Sequence, residues 1–301
     1  MQPKSSKKVI TRRDFLKTGG YAAAGSLLGL PLLDRTAAQA AVKSRVVLIR
    51  DPDAVDSQGR VNATVLESML DQAVTTLLDA PNPRSAWQQL FHPGDVVGIK
   101  SNVWGRLPTP EALEMALVSR LQQVGVNSNN IAVDDRDIRE NPVFMRSTAL
   151  INVRPMRTHH WSGLGSLLKN YIMFVPAPWM YHGNACERLG AIWQKSQVAG
   201  KTRLNILVML TPLFHGIGPH HYSSRYVWPY AGLIVSTDPV AADATGARIM
   251  ADQRNAFFKG HRPISPPPLH IAAADTRFGL GYSSPERIEL IRMGWGDQIL
   301  I

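Results

Sequence analysis

The chain has 301 residues, a formal net charge of +10 and one cysteine, Cys186. A lone cysteine excludes an intramolecular disulfide and an intrinsic cysteine-ligated iron–sulfur cluster. Seven lysines and arginines against two aspartates in the first forty residues account for half of the net charge, and the remainder shows neither the clustering nor the motifs of a nucleic-acid binder.

Those forty residues read as an export signal. Lys4, Lys7 and Lys8 precede Thr11-Arg12-Arg13-Asp14-Phe15-Leu16-Lys17, an apolar run of small residues follows from Gly19 to Leu33, and Ala38-Gln39-Ala40 supplies a cleavage site. The paired arginines followed by Phe-Leu-Lys specify the twin-arginine route. Glycines and Pro31 make the run a poor membrane span, which needs about 18 apolar residues or more. Retention as an uncleaved anchor is the alternative. The expectation is a cleavable twin-arginine signal peptide over 1–40 and a periplasmic or otherwise exported product, with the export machinery as partner and no transmembrane segment in the mature protein. Residues 41–301 then form a single α/β domain or two closely packed lobes.

Along the mature part, Val46-Val47-Leu48-Ile49 reads as a first buried strand ended by Arg50-Asp51-Pro52. Residues 61–79 carry Val65, Leu66, Met69, Val74 and Leu77 at helical spacing, closed by Pro81 and Pro83. A polar linker with Trp87 and Phe91 leads to a Pro93-Gly94-Asp95 turn and a second strand over 96–100. Thr109 and Pro110 open a helix as cap and first residue, and Gly125 stops it. Strands follow at 131–133 and 149–153, a helical pattern over 184–198, and strands at 204–210 and 233–235. Asp238-Pro239 starts a strong helix to about Arg254, 260–270 reads as an irregular surface crossing, and Ser284-Pro285-Glu286 opens a last helix through Ile291. The alternation predicts an α/β fold: a mostly parallel or mixed β-sheet with helices on both faces.

In such sheets ligands gather at the carboxyl ends of the strands. Lys100 and Asn102 follow one strand and Asp134 and Asp135 another, so parallel pairing would open all four onto one edge. His159, His160, Gly163, Gly165, Lys169 and Asn170 fall in a stretch read as loop, turn and helix start, where one imidazole and Lys169 face a pocket and the glycines allow a close approach. No nucleotide-binding spacing is present. His182, His215, His220 and His221 suit acid–base or metal chemistry as a group, although no strict ligand spacing occurs. Cys186 and His182, four residues apart, form a thiolate pair if helical; a small buried cysteine is the alternative. Asp238 is a natural helix cap. Asp243, among alanines, needs a partner, which Arg248, Lys100, Lys169 or a metal would supply.

These landmarks resemble the domain-of-unknown-function 362 family. The resemblance rests on Val97-Gly98-Ile99-Lys100-Ser101-Asn102, Lys169-Asn170, His182-Gly183 and Ser236-Thr237-Asp238-Pro239-Val240-Ala241-Ala242-Asp243, and spans roughly residues 45–255. It implies that Lys100, Asn102, Lys169, Asn170, His182, Asp238 and Asp243 are the recurring polar positions. Many relatives carry ferredoxin-like cysteine clusters, which this chain lacks, and often an aspartate where it has Val208. The resulting expectation assigns Lys100, Lys169 and His182 to catalysis, Asn102, Asn170 and Asp243 to cofactor binding, and Asp134, His160, His215 and Asp238 to a metal. The cofactor itself is unidentified, with a metal ion as the option. The function expected is that of an exported redox-associated or metal- or cofactor-dependent protein, with a periplasmic redox partner, or of a non-catalytic periplasmic ligand-binding or redox-accessory protein.

Overall fold

Strand runs rich in Val, Ile and Leu must bury both faces, and they do so in one sheet. A computed structural model describes residues 43–216 and 222–301. The strands are β1 (Ser44–Arg50), β2 (Val97–Lys100), β3 (Ile131–Asp134), β4 (Ala149–His159), β5 (Gly163–Gly165), β6 (Thr202–Leu213), β7 (Gly232–Ser236) and β8 (Ile288–Gly294). Their order is β3-β2-β4-β6-β7-β1-β8, with β5 paired to β4. Neighbours from β3 to β6 run parallel, β7 is antiparallel to β6 and β1, and β8 is parallel to β1. The sheet is therefore mixed, and the described residues fold as one unit.

Alternate residues supply two cores. Val47, Ile49, Val97, Ile99, Ile151 and Ile206 pack under α1 (Ala63–Leu77), α2 (Pro83–Leu90) and α3 (Glu111–Gln123). Val46, Leu48, Leu150, Leu207 and Ile234 face α4 (Pro239–Phe258) and α5 (Leu269–Thr276). Helix α1 presents Leu66, Met69, Leu70, Ala73, Val74 and Leu77 as one buried stripe, and Asn62 caps it through Val65 N–H. Among the described residues no helix is long and apolar enough to cross a membrane. The expected signal at 1–40, and His220 and His221, lie outside the described residues.

Local expectations change at four places. The linker before Pro93 is helix α2, because Asn82 caps Ser85 N–H and Trp87 and Leu90 are buried. Thr109 does not cap α3; its hydroxyl accepts from Asn102 N–H at 3.1 Å and so ties the loop after β2 to itself. The helix expected over 184–198 is broken into single turns, because Asn184, Ala185 and Cys186 have left-handed φ of 46°, 50° and 62°. The last predicted helix is one 3₁₀ turn, Pro285–Arg287, followed by β8, since β1 offers an open parallel edge that 288–294 completes.

Candidate functional site

Strand register carries a line of polar residues across the apolar sheet. Asp134 pairs with Lys100, Lys100 with Asn152, Asn152 with Asn205, and Asn205 with Ser236. Lys100, Asn152, Asn205 and Ser236 are fully buried, so their bonding groups must satisfy one another. Asn152 donates to Leu167 O at 3.1 Å and to Asn205 Oδ1 at 3.3 Å, and Asn205 donates to Thr237 O at 3.2 Å. Asn170 reaches in from the helical turn Leu167–Asn170, donating to Asn152 Oδ1 at 2.9 Å, Lys100 O at 3.1 Å and Val153 O at 3.1 Å. Its role is to lock that turn onto the sheet.

At the carboxyl end of β2, Lys100 donates to Ser101 O at 2.8 Å and forms an ion pair with Asp135. Asp135 also accepts from Val103 N–H at 2.9 Å. Burial pushes the Lys100 ammonium down to about 8 despite Asp135. Burial alone would raise the Asp135 carboxyl, but the charge and hydrogen bond of Lys100 hold it below its ordinary value. The expected common edge for Lys100, Asn102, Asp134 and Asp135 exists, and Asp135 rather than Asp134 is the lysine's partner. Asp134 instead accepts from Asn141 Nδ2 at 3.1 Å and Asp137 N–H at 3.2 Å.

Asp243 has a partner of a kind the sequence did not suggest. Fully buried on α4, it accepts from Leu167 N–H and Leu168 N–H at 2.9 Å and from the Ser166 hydroxyl at 2.7 Å. It thus caps the turn bearing Lys169 and Asn170 from a different helix. Burial lifts its carboxyl to about 6 against these three donors.

Lys169 itself is 3% exposed, yet no hydrogen bond or ion pair holds its ammonium among the described residues. The nearest ring is Trp161, whose centroid lies 6.0 Å from Nζ. Burial lowers the Lys169 ammonium to about 7; Cys186 opposes that shift and Arg154 adds to it. Arg154, 5% exposed on β4, also lacks a hydrogen-bond partner at Nε. Burial lowers its guanidinium to about 10 against Asp135 and Asp243. Three residues further on, Arg157 donates to Asn102 Oδ1 at 2.9 Å, stacks over Trp104 at 4.5 Å and is held well below its ordinary value by burial and by Arg154.

Histidines lie in the same region. Buried His159 ends β4 and accepts from Trp161 N–H at 3.2 Å; burial and then Lys169 depress it strongly. His160 stacks on His159 at 4.7 Å and lies tilted against Trp161 at 3.9 Å. His182 stacks on Trp161 at 3.7 Å and is pushed to about 4 by burial, then by Lys169 and His160. His270, fully buried on α5, has no hydrogen-bond partner at either ring nitrogen among the described residues, and burial, Lys169 and Arg154 push it to about 3. Arg154, Arg157 and His270 escaped the sequence reading. The available signal was two arginines three residues apart inside an apolar run, each needing a reason to be buried.

The expected metal set is not brought together. Besides Asp134 and His160, His215 pairs with Arg254 at 2.9 Å. Asp238 caps α4 through Val240 N–H and Ala241 N–H at 2.8 and 2.9 Å and accepts from Ser44 and from Tyr282 N–H. Among the described residues no three His, Cys, Asp or Glu side chains are grouped to hold a metal ion. Cys186 is a buried thiol raised by burial, with the left-handed turn separating it from a helical pairing with His182. The expected close approach at the two glycines is also internal. A Cβ on Gly163 would meet Pro266 O at 2.1 Å, and one on Gly165 would meet Arg154 Nη2 at 2.9 Å.

Two adjoining clefts of about 210 and 550 Å³ lie beside this edge, sharing Gly59, Arg106, Leu107 and Thr211. Neither is lined by Lys100, Arg154, Lys169 or Asp243. The family described as Domain of unknown function (DUF362) matches residues 120–248, less than half of the chain. The match contains Arg154, Lys169, Asn170, His182 and Asp243, whereas Lys100 and His270 fall outside it. No curated protein and no solved structure matches the chain.

Proposed function

We propose that this domain binds a small organic anion, a carboxylate or a phosphate, at the carboxyl edge of β4, with Arg154 and Lys169 as its contacts. One observation carries the proposal: the cationic side chains of Lys169 and Arg154 are 3% and 5% exposed, and neither forms an ion pair among the described residues. Of the carboxylates near them, Asp135 is committed to Lys100 and Asp243 to three N–H and O–H donors. An uncompensated buried charge costs several kcal/mol, and a bound anion would offset it. This reading is the ligand-binding one of the two functions expected from the sequence.

Calorimetric titration with inorganic phosphate, lactate and succinate tests it. At least one should bind saturably, and Arg154→Met or Lys169→Met should weaken that binding roughly tenfold to a hundredfold, the worth of one charge-assisted hydrogen bond. Absence of saturable binding by all three, or variants that bind as well as the parent, would contradict it. We also propose delivery through the twin-arginine route. Exchanging Arg12 and Arg13 for lysines should hold the precursor inside the cell, and undiminished export would refute that.

A further inference from the structure

The two clefts lie where the central strands β4 and β6 part. The pair keeps register through Pro155 and Val208 and then shifts, so that Arg157 faces Leu213. Pro155 has no N–H with which to continue the ladder. The floor of the smaller cleft comes from Val61, Leu107, Pro108, Pro155, Val208 and Leu210, and Thr211 lines both clefts. Val208 and Leu210 belong to the core under α1, α2 and α3, whereas Leu167 and Leu168 of the turn bearing Lys169 belong to the other core. The clefts and that turn are therefore on opposite faces of the sheet.

Arg106 lines both clefts and is held in place by a closed loop. Thr109 N–H donates to Asn102 O at 2.8 Å, Asn102 N–H donates to the Thr109 hydroxyl at 3.1 Å, and Leu107 N–H donates to Trp104 O at 3.0 Å. The Arg106 guanidinium lies 5.4 Å from the Tyr222 ring centroid, Tyr222 meets Trp104 edge-on at 6.2 Å, and the buried Arg157 guanidinium lies 4.5 Å over Trp104. Apart from that ring contact, Arg106 forms no hydrogen bond or ion pair among the described residues. Asp56 is the one other charged residue that lines the clefts among the described residues, and Arg60 Nε at 2.6 Å and Gln58 N–H at 2.9 Å already engage it. An apolar floor and one unanswered positive charge thus share a single space. Small-molecule sites have that make-up, an apolar lining with a few placed polar groups.

We propose that the two clefts bind one small aromatic carboxylate, its ring on the proline-rich floor and its carboxylate on Arg106. A planar guanidinium matches a carboxylate with two parallel hydrogen bonds. This site is separate from the anion site at Arg154 and Lys169 and does not depend on it.

Calorimetric titration with benzoate, benzamide and benzamidine tests the proposal, because the three share a ring and differ in charge. Benzoate should bind saturably and at least about tenfold more tightly than benzamide, the worth of a charge-assisted pair, and benzamidine should not bind. Arg106→Met, a change at an exposed side chain, should remove the preference for benzoate over benzamide, and Arg106→Lys should keep part of it. Thr211→Phe, which fills the space common to both clefts, should weaken benzoate and benzamide alike. No saturable binding of benzoate, benzamide bound as tightly as benzoate, or a preference that survives in Arg106→Met would overturn the proposal. Binding that Thr211→Phe leaves unchanged would place the ligand outside the clefts and overturn it as well.

Discussion

Asp243 shows how one carboxylate can look like a cofactor ligand in sequence and act as a cap in space. Its three donors are the N–H groups of Leu167 and Leu168 and the Ser166 hydroxyl. Replacing Asp243 with Ala leaves those buried donors unanswered, at about 1–3 kcal/mol for each such group. Urea unfolding should show a loss of at least about 2 kcal/mol, and a loss within experimental error would remove the cap from the account. Asp135→Ala strands Lys100 as a buried unpaired cation, expected to cost about 3–5 kcal/mol; Asp135→Ala with Lys100→Met should recover most of it. The pH dependence of Lys169 has a definite sign. Its folded value of about 7 lies below its ordinary value of 10.5. The unfolded chain therefore binds more protons between those values, and the stability of the unliganded domain rises with pH from 7 upward and falls as pH drops through 7. Lys100, at about 8, adds in the same direction, whereas Cys186, raised by burial, opposes it only at higher pH. Measured between pH 7 and 8.5, Lys169→Met should flatten the slope without abolishing it, and an unchanged slope would mean that Lys169 is charged throughout.

At the level of elements, the central strands β4 and β6 are buried along nearly their whole length and joined by the asparagine line, while β3 and β8 are edges with partly exposed residues. Hydrogen exchange should therefore be slowest in β4 and β6 and fastest in β3 and β8; the reverse order would show that the polar line weakens the sheet. The strands were legible because continuous runs such as 46–49 and 204–210 have few alternatives to burial. Their parallel order from β3 to β6 was legible from the intervening helices. The segment 184–198 was not, because Gly183-Asn184 marks at most the start of the left-handed turn, and Ala185 and Cys186 carry no residue signal for continuing it. The strand at 288–294 was missed for a different reason: a capping-type Ser-Pro-Glu start outweighed an alternation that only the free edge of β1 makes decisive.

Across the whole molecule, the sequence brought Lys100, Lys169, Asn170 and Asp243 into one neighbourhood, and their hydrogen bonds distinguish them. Asn170 and Asp243 hold the turn in place, Lys100 is paired, and Lys169 forms no hydrogen bond or ion pair among the described residues. The company that gives it meaning, Arg154 and His270, comes from a central strand and from the helix α5 that follows the stretch read as a surface crossing, where no local pattern links them to it. The buried charge they create is the central claim, and proton-linked calorimetry tests it most directly. Lactate, or whichever carboxylate binds best, is titrated into the domain at pH 8 in two buffers of different ionisation heat. Binding should draw a proton onto the domain, because an anion beside Lys169 raises a group whose unliganded value is about 7, and Lys169→Met should lose that uptake. Saturable binding with no proton uptake, or uptake that survives in Lys169→Met, would contradict the account.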